Sequence, residues 1–142
     1  MEDLKWTAAL DVGDELMNQE HQTLLEKMAQ LASYNHRSLS KKDILFYYDD
    51  LVDYTKRHFR DEEAHMKTIG YGELEQHRRL HSGLLEALDR YREEFNTGVS
   101  GRFPSAVFDF FRTWIMTHIL VVDKRYPPSS HESAHTGPPG QL

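Results

Sequence analysis

The chain contains no cysteine. Disulfides, thiolate-bound zinc and cysteine-ligated iron–sulfur clusters are thereby excluded, and the absence fits a reducing compartment. No apolar run is long enough to cross a bilayer. Residues Met1 to Lys5 carry mixed charge and lead into no apolar stretch. No secretory signal is visible in them, so a cytoplasmic location without a membrane span is expected. Nor is there a surplus of positive charge. Lys and Arg number 17 against 23 Asp and Glu, a net charge of -6 with neutral histidines, and nothing favours nucleic acid or an anionic membrane as partner. Internal repeats are absent, as are recognisable flavin, haem and iron–sulfur motifs.

Histidine is what the sequence has in excess, with nine in 142 residues. The rest is ordinary for a globular protein, 39% hydrophobic and 28% charged, and the length suits one domain with one core. Residues 1–13 read as an extended arm offering Trp6, Leu10 and Val12 for packing. Asp14 is placed to cap a helix running to about Asn35, with Met17, His21, Leu24, Leu25, Met28, Leu31 and Ala32 at helical spacing. Ser40, with Asp43 three residues on, suits the start of a second helix. Its stripe is Ile44, Tyr47, Leu51, Tyr54, His58 and Glu62, and Gly70 is placed to end it.

A third helix is expected from about Gly72 to Asn96, with the stripe Leu74, His77, His81, Leu84, Leu85, Leu88, Tyr91 and Phe95. Pro104 suits the first turn of a fourth, whose stripe is Val107, Phe110, Phe111, Trp114, Ile115, His118 and Val122. Pro127 and Pro128 end it. Short connectors between four amphipathic helices predict an all-α, up-down-up-down four-helix bundle. The bundle domain is read over 1–126, and 127–142 as a disordered tail with almost no apolar content.

Each apolar stripe carries at least one histidine. The set is His21, His58 with Glu62, His77 with His81, and His118 with Asp123: five imidazoles and two carboxylates. Residues four apart on a helix differ by about 40° in azimuth and about 6 Å in height, so His58 with Glu62 and His77 with His81 each reach one centre. His118 and Asp123 are five apart, about 140° on a regular helix. Asp123 then lies near a frayed turn, reaches in from the flank, or is brought round by a π-type bulge. One histidine on an apolar stripe is ordinarily a hydrogen-bonded core residue. Seven such groups on inward faces, each costly to bury without a partner, argue for a metal site holding more than one ion. Imidazole with carboxylate suits iron and similar first-row metals.

The order His, His-x-x-x-Glu, His-x-x-x-His, His-x-x-x-x-Asp resembles the hemerythrin family. Trp6, His58-Phe-Arg-Asp-Glu-Glu, Gly70-Tyr71, Trp114 and His118-Ile119 resemble family positions too, and the likeness covers residues from about 6 to 126. One departure is visible. Asn18 stands three residues before His21, where the family often has Asp.

The resemblance implies a non-haem di-iron centre, two Fe ions per chain, that binds dioxygen reversibly. By position, His77, His81 and His118 would hold one iron and His21 and His58 the other. Glu62 and Asp123 would bridge them together with a solvent-derived oxo or hydroxo group. Leu24, Ile119 and Leu120 would line the oxygen pocket and keep water out. Neutral imidazoles with only two carboxylates donate less charge than carboxylate-rich sites, which disfavours O–O cleavage. The implied role is a carrier, store or supplier of dioxygen, not an enzyme. The alternatives are a redox enzyme acting on peroxide or nitric oxide, and an oxygen or redox sensor. His65, about 10 Å along the helix from His58, reads as a helix-end residue and not a ligand. His36 reads as a solvated loop residue, and the charge run Arg60-Asp-Glu-Glu as a solvated face.

Overall fold

The computed structural model describes residues 6–37 and 39–119. After a short 3-10 turn at Ala8–Leu10 come α1 (Glu15–Asn35), α2 (Lys41–Thr68), α3 (Leu74–Thr97) and α4 (Ser105–Thr117). They form an all-α four-helix bundle with short connectors. Among the described residues no helix is long and apolar enough to cross a membrane. Residues 127–142, read from the sequence as a tail, lie outside the described residues, as do Val122, Asp123 and Leu120.

The helix ends follow from local chemistry. The Asp14 side chain accepts from Met17 N at 3.0 Å, and Ser40 Oγ accepts from Asp43 N at 3.1 Å. Each cap satisfies an otherwise orphaned backbone donor. At the end of α2, Gly70 takes φ +69°. That conformation lets Tyr71 N donate to Met66 O at 2.9 Å and Gly70 N to Lys67 O at 3.2 Å, the paired bonds of a Schellman ending. The α3 helix begins two residues later than expected. Its C-terminal carbonyls are served from another helix: Lys41 Nζ donates to Asn96 O at 3.2 Å and Gly98 O at 2.7 Å.

One end of the bundle is sealed by aromatic rings and by Asn35. The ring of Phe103 stacks on Tyr48 at 4.7 Å and on Phe95 at 4.0 Å. Asn35 donates to Phe103 O at 3.0 Å and accepts from Phe103 N at 2.9 Å, which fixes the approach to α4. On α2 the innermost positions are Ile44, Tyr48, Leu51, Thr55, His58, Phe59, Glu62 and Met66. Tyr48 and Thr55 thus take the places that the sequence stripe gave to Tyr47 and Tyr54. The reason is hydrogen bonding. Tyr48 donates its hydroxyl to Leu88 O at 2.5 Å and Thr55 to Leu51 O at 2.8 Å. Tyr47 and Tyr54 stay half-buried at the rim, against Tyr34 and beneath Lys27. On α4 the expected Val107, Phe111, Ile115 and His118 are buried together with Phe108, while Phe110 and Trp114 stay half-buried.

Candidate metal centre

Up-down alternation brings the early turns of α1 and α3 and the late turns of α2 and α4 to the end of the bundle opposite Phe103. His21, His58, Glu62, His77, His81 and His118 lie there, every one buried. Glu62 is the hub. Its Oε1 lies 2.9 Å from His81 Nε2, 3.1 Å from His77 Nε2 and 3.4 Å from His118 Nε2. Its Oε2 lies 3.5 Å from both His21 Nε2 and His58 Nε2. One carboxylate thus faces three imidazoles with one oxygen and two with the other. Burial pushes the Glu62 carboxyl up. The charge of His58 and hydrogen bonds with His118, His21 and His58 outweigh it and hold the group well below the usual carboxylate range. Glu62 is an ionised group in the core.

The donor atoms fall into two overlapping sets, Glu62 with His77, His81 and His118, and Glu62 with His21 and His58. Within the first, His81 Nε2 and His118 Nε2 approach to 3.2 Å while both face Glu62 Oε1. Two ring nitrogens so close either oppose lone pairs or oppose N–H groups unless they share a proton. His81 has its other nitrogen engaged, with Nδ1 2.8 Å from Glu63 Oε2. A cation among these nitrogens satisfies all of them together, so the residues fit a metal. The neutral imidazole and carboxylate set suits a first-row ion such as iron.

Aromatic side chains wall this cluster. Phe59 stacks on His81 with centroids 3.7 Å apart and planes 3° off parallel. Trp114 stacks on His118 at 4.4 Å and 13°. The rings of His21 and His58 meet edge-on at 4.7 Å. Leu24, one turn beyond His21, and Ile119, next to His118, are fully buried. His118 and Ile119 follow α4 in a π-type turn. Asp123 and Leu120 themselves lie outside the described residues.

This sequence matches the family model of the hemerythrin HHE cation binding domain over residues 12–128. The chain belongs to the hemerythrin family. It is 30% identical over 131 residues to the bacteriohemerythrin of Methylococcus capsulatus (strain Bath), covering 88% of this chain and 95% of that protein. Similarity to the Stenotrophomonas maltophilia bacteriohemerythrin is 28% over 127 residues, 87% of this chain and 78% of that one. A wild-type hemerythrin crystal structure superposes with a TM-score of 0.77 at 26% identity, over 84% of this chain and 92% of the other. A leucine-to-tyrosine variant of a hemerythrin gives 0.79 at 26% identity, over 87% and 94%.

Two carboxylates beside the cluster escape a reading by residue type. Glu20 is buried with its Oε1 2.7 Å from His58 Nδ1. Burial pushes its carboxyl up, the hydrogen bond with His58 pulls it back, and Asp61 adds to the rise. Glu63, within the run expected to be a solvated face, meets His81. Helical spacing does flag both. Glu20 falls three after Met17 and four before Leu24, and Glu63 four after Phe59 and three before Met66, all buried positions. Asn18 serves the arm, accepting from Val12 N at 3.0 Å and donating to Asp11 Oδ1 at 2.8 Å. His65 stands apart from the centre, 3.7 Å from Asp14 Oδ2, and His36 is an exposed helix-end residue.

Proposed function

We propose that this hemerythrin binds dioxygen reversibly at a non-haem di-iron centre, in transport, storage or delivery of oxygen and not as an enzyme. The division of the Glu62 oxygens between two histidine sets carries the reading. In it, His77, His81 and His118 would hold one iron and His21 and His58 the other, with Glu62 shared between the two sets. Asp123 is the proposed second bridge. When bound, the iron pair supplies the two electrons that reversible capture of dioxygen requires.

The chain's own residues do the rest. Glu63 and Glu20 hold the Nδ1 protons of His81 and His58, which directs each Nε2 lone pair inward. Phe59 and Trp114 fix ring planes by stacking. Leu24 and Ile119, with Leu120 as the proposed third member, exclude water and external protons. With only Glu62 and Asp123 as anionic ligands, the site donates less charge than a carboxylate-rich one, and O–O cleavage is disfavoured.

The test is anaerobic reduction of the iron-loaded protein, followed by admission and removal of oxygen under visible spectroscopy. A charge-transfer band that appears with oxygen and disappears without it is expected. Irreversible bleaching, or continuing oxygen consumption, would replace binding with turnover.

A further inference from the structure

We propose that Glu20 and Glu63 are unequal positioning residues, one behind each half of the centre, and that Glu20 gives the His58 half the stronger support. The inference rests on the two-ion reading above. Each carboxylate reaches across a helix interface. Glu20 of α1 takes Nδ1 of His58 on α2, and Glu63 of α2 takes Nδ1 of His81 on α3. Each bond orients an imidazole through its far nitrogen, fixes the tautomer and raises the basicity of the nitrogen facing Glu62.

The surroundings differ. The Glu20 and His58 side chains are 6% and 1% exposed. Water is largely shut out, and a charge-assisted hydrogen bond is stronger in such a medium. The Glu63 side chain is 24% exposed. Its other oxygen accepts from Arg78 Nε at 3.2 Å, and Arg78 also pairs with Glu75. Solvent and the guanidinium therefore neutralise much of what Glu63 offers His81. The same hydrogen bond, at 2.7 Å and 2.8 Å, is a strong electrostatic push on one side and a damped one on the other. Geometry alone would make the two halves equivalent in this respect, and the dielectric makes them different.

Metal uptake reads the difference without using oxygen. The metal-free full chain is titrated with Co²⁺ against a competing chelator, and two binding steps are followed by their visible bands. Glu20→Ala should weaken one step by about 10- to 100-fold, the usual cost of losing an outer partner of a histidine ligand, and leave the other within about twofold. Glu63→Ala should weaken the other step, and by less. Arg78→Met, which frees Glu63 of its cation, should tighten that step. Glu20→Gln keeps the size and an acceptor oxygen but not the charge, and should show a smaller loss in the same step as Glu20→Ala. It also serves if the alanine variant fails to fold.

The proposal is overturned if both alanine variants weaken both steps alike, if Glu63→Ala costs as much as Glu20→Ala, or if Glu20→Gln binds like the parent. A parent that takes up a single Co²⁺ contradicts the two-ion reading instead. The inequality is then decided on that one ion, and a larger loss in Glu63→Ala than in Glu20→Ala refutes it.

Discussion

Replacing Glu62 by Gln changes one oxygen to an NH₂ and should dismantle the centre while leaving the bundle folded. Glu62 is fully buried, and its two oxygens meet five imidazole nitrogens at 2.9 to 3.5 Å. An amide presents an oxygen to one histidine set and a donor to the other, so at least one set loses its shared anionic ligand. Loss of an outer partner already costs about 10- to 100-fold in affinity, and loss of the bridge should cost at least the upper figure. With metal in excess, ligand stabilisation grows as RT ln(1 + [L]/Kd), and a 100-fold weaker site forfeits about 2.7 kcal/mol. For a chain of 142 residues, that corresponds to a melting shift of roughly 10 °C. The assay compares circular-dichroism melts of parent and variant, each chelated and each with excess Fe²⁺ under anaerobic conditions. The quantity read is the metal-dependent increment, so any effect of the substitution on the metal-free fold cancels. An increment in Glu62→Gln equal to that of the parent would refute the bridging role.

Acid should destabilise the metal-free protein partly through the same residue. The Glu62 carboxyl is held below its ordinary value when folded, so its contribution is present above the ordinary carboxyl range and fades as pH falls through the lower folded value. In chelator, Glu62→Gln should therefore flatten the acid limb of the melting-temperature profile, and an unchanged limb would contradict the direction. Asn35→Leu strands the N–H and C=O of Phe103, at about 1–3 kcal/mol each, and should lower the urea midpoint with no change in metal stoichiometry. Leu120→Ala, placed by resemblance beside the oxygen pocket, should keep its metal but lose the oxygen-dependent band faster. Decay at the parent's rate would move the gate to Leu24 or Ile119. Truncation of residues 129–142 should leave iron content unchanged, and a fall would give a role to one of the two histidines in that segment, His131 or His135.

Those parts of the molecule governed by short-range chemistry were legible in the residues alone. The caps at Asp14 and Ser40, the glycine ending at Gly70 and the inward histidines follow from spacing and side-chain type. Tyr48 was not legible, because three adjacent aromatics on α2 compete for the core, and a carbonyl on α3 decides which hydroxyl enters. Glu63 was hidden in the charge run Arg60-Asp-Glu-Glu, expected to be a solvated face, and Glu20 by having no partner near it in sequence. Helical spacing points both toward the core, but the role of each depends on a partner from another helix, His58 for Glu20 and His81 for Glu63, which no local pattern contains.

The most direct measurement is the ratio of dioxygen bound to iron present, taken over repeated cycles of oxygen admission and removal in one sample of known protein concentration. Two irons per chain and one dioxygen per iron pair, released fully in each cycle, is the expected result. One iron per chain, or oxygen taken up and not returned, would contradict a reversible di-iron centre built around Glu62.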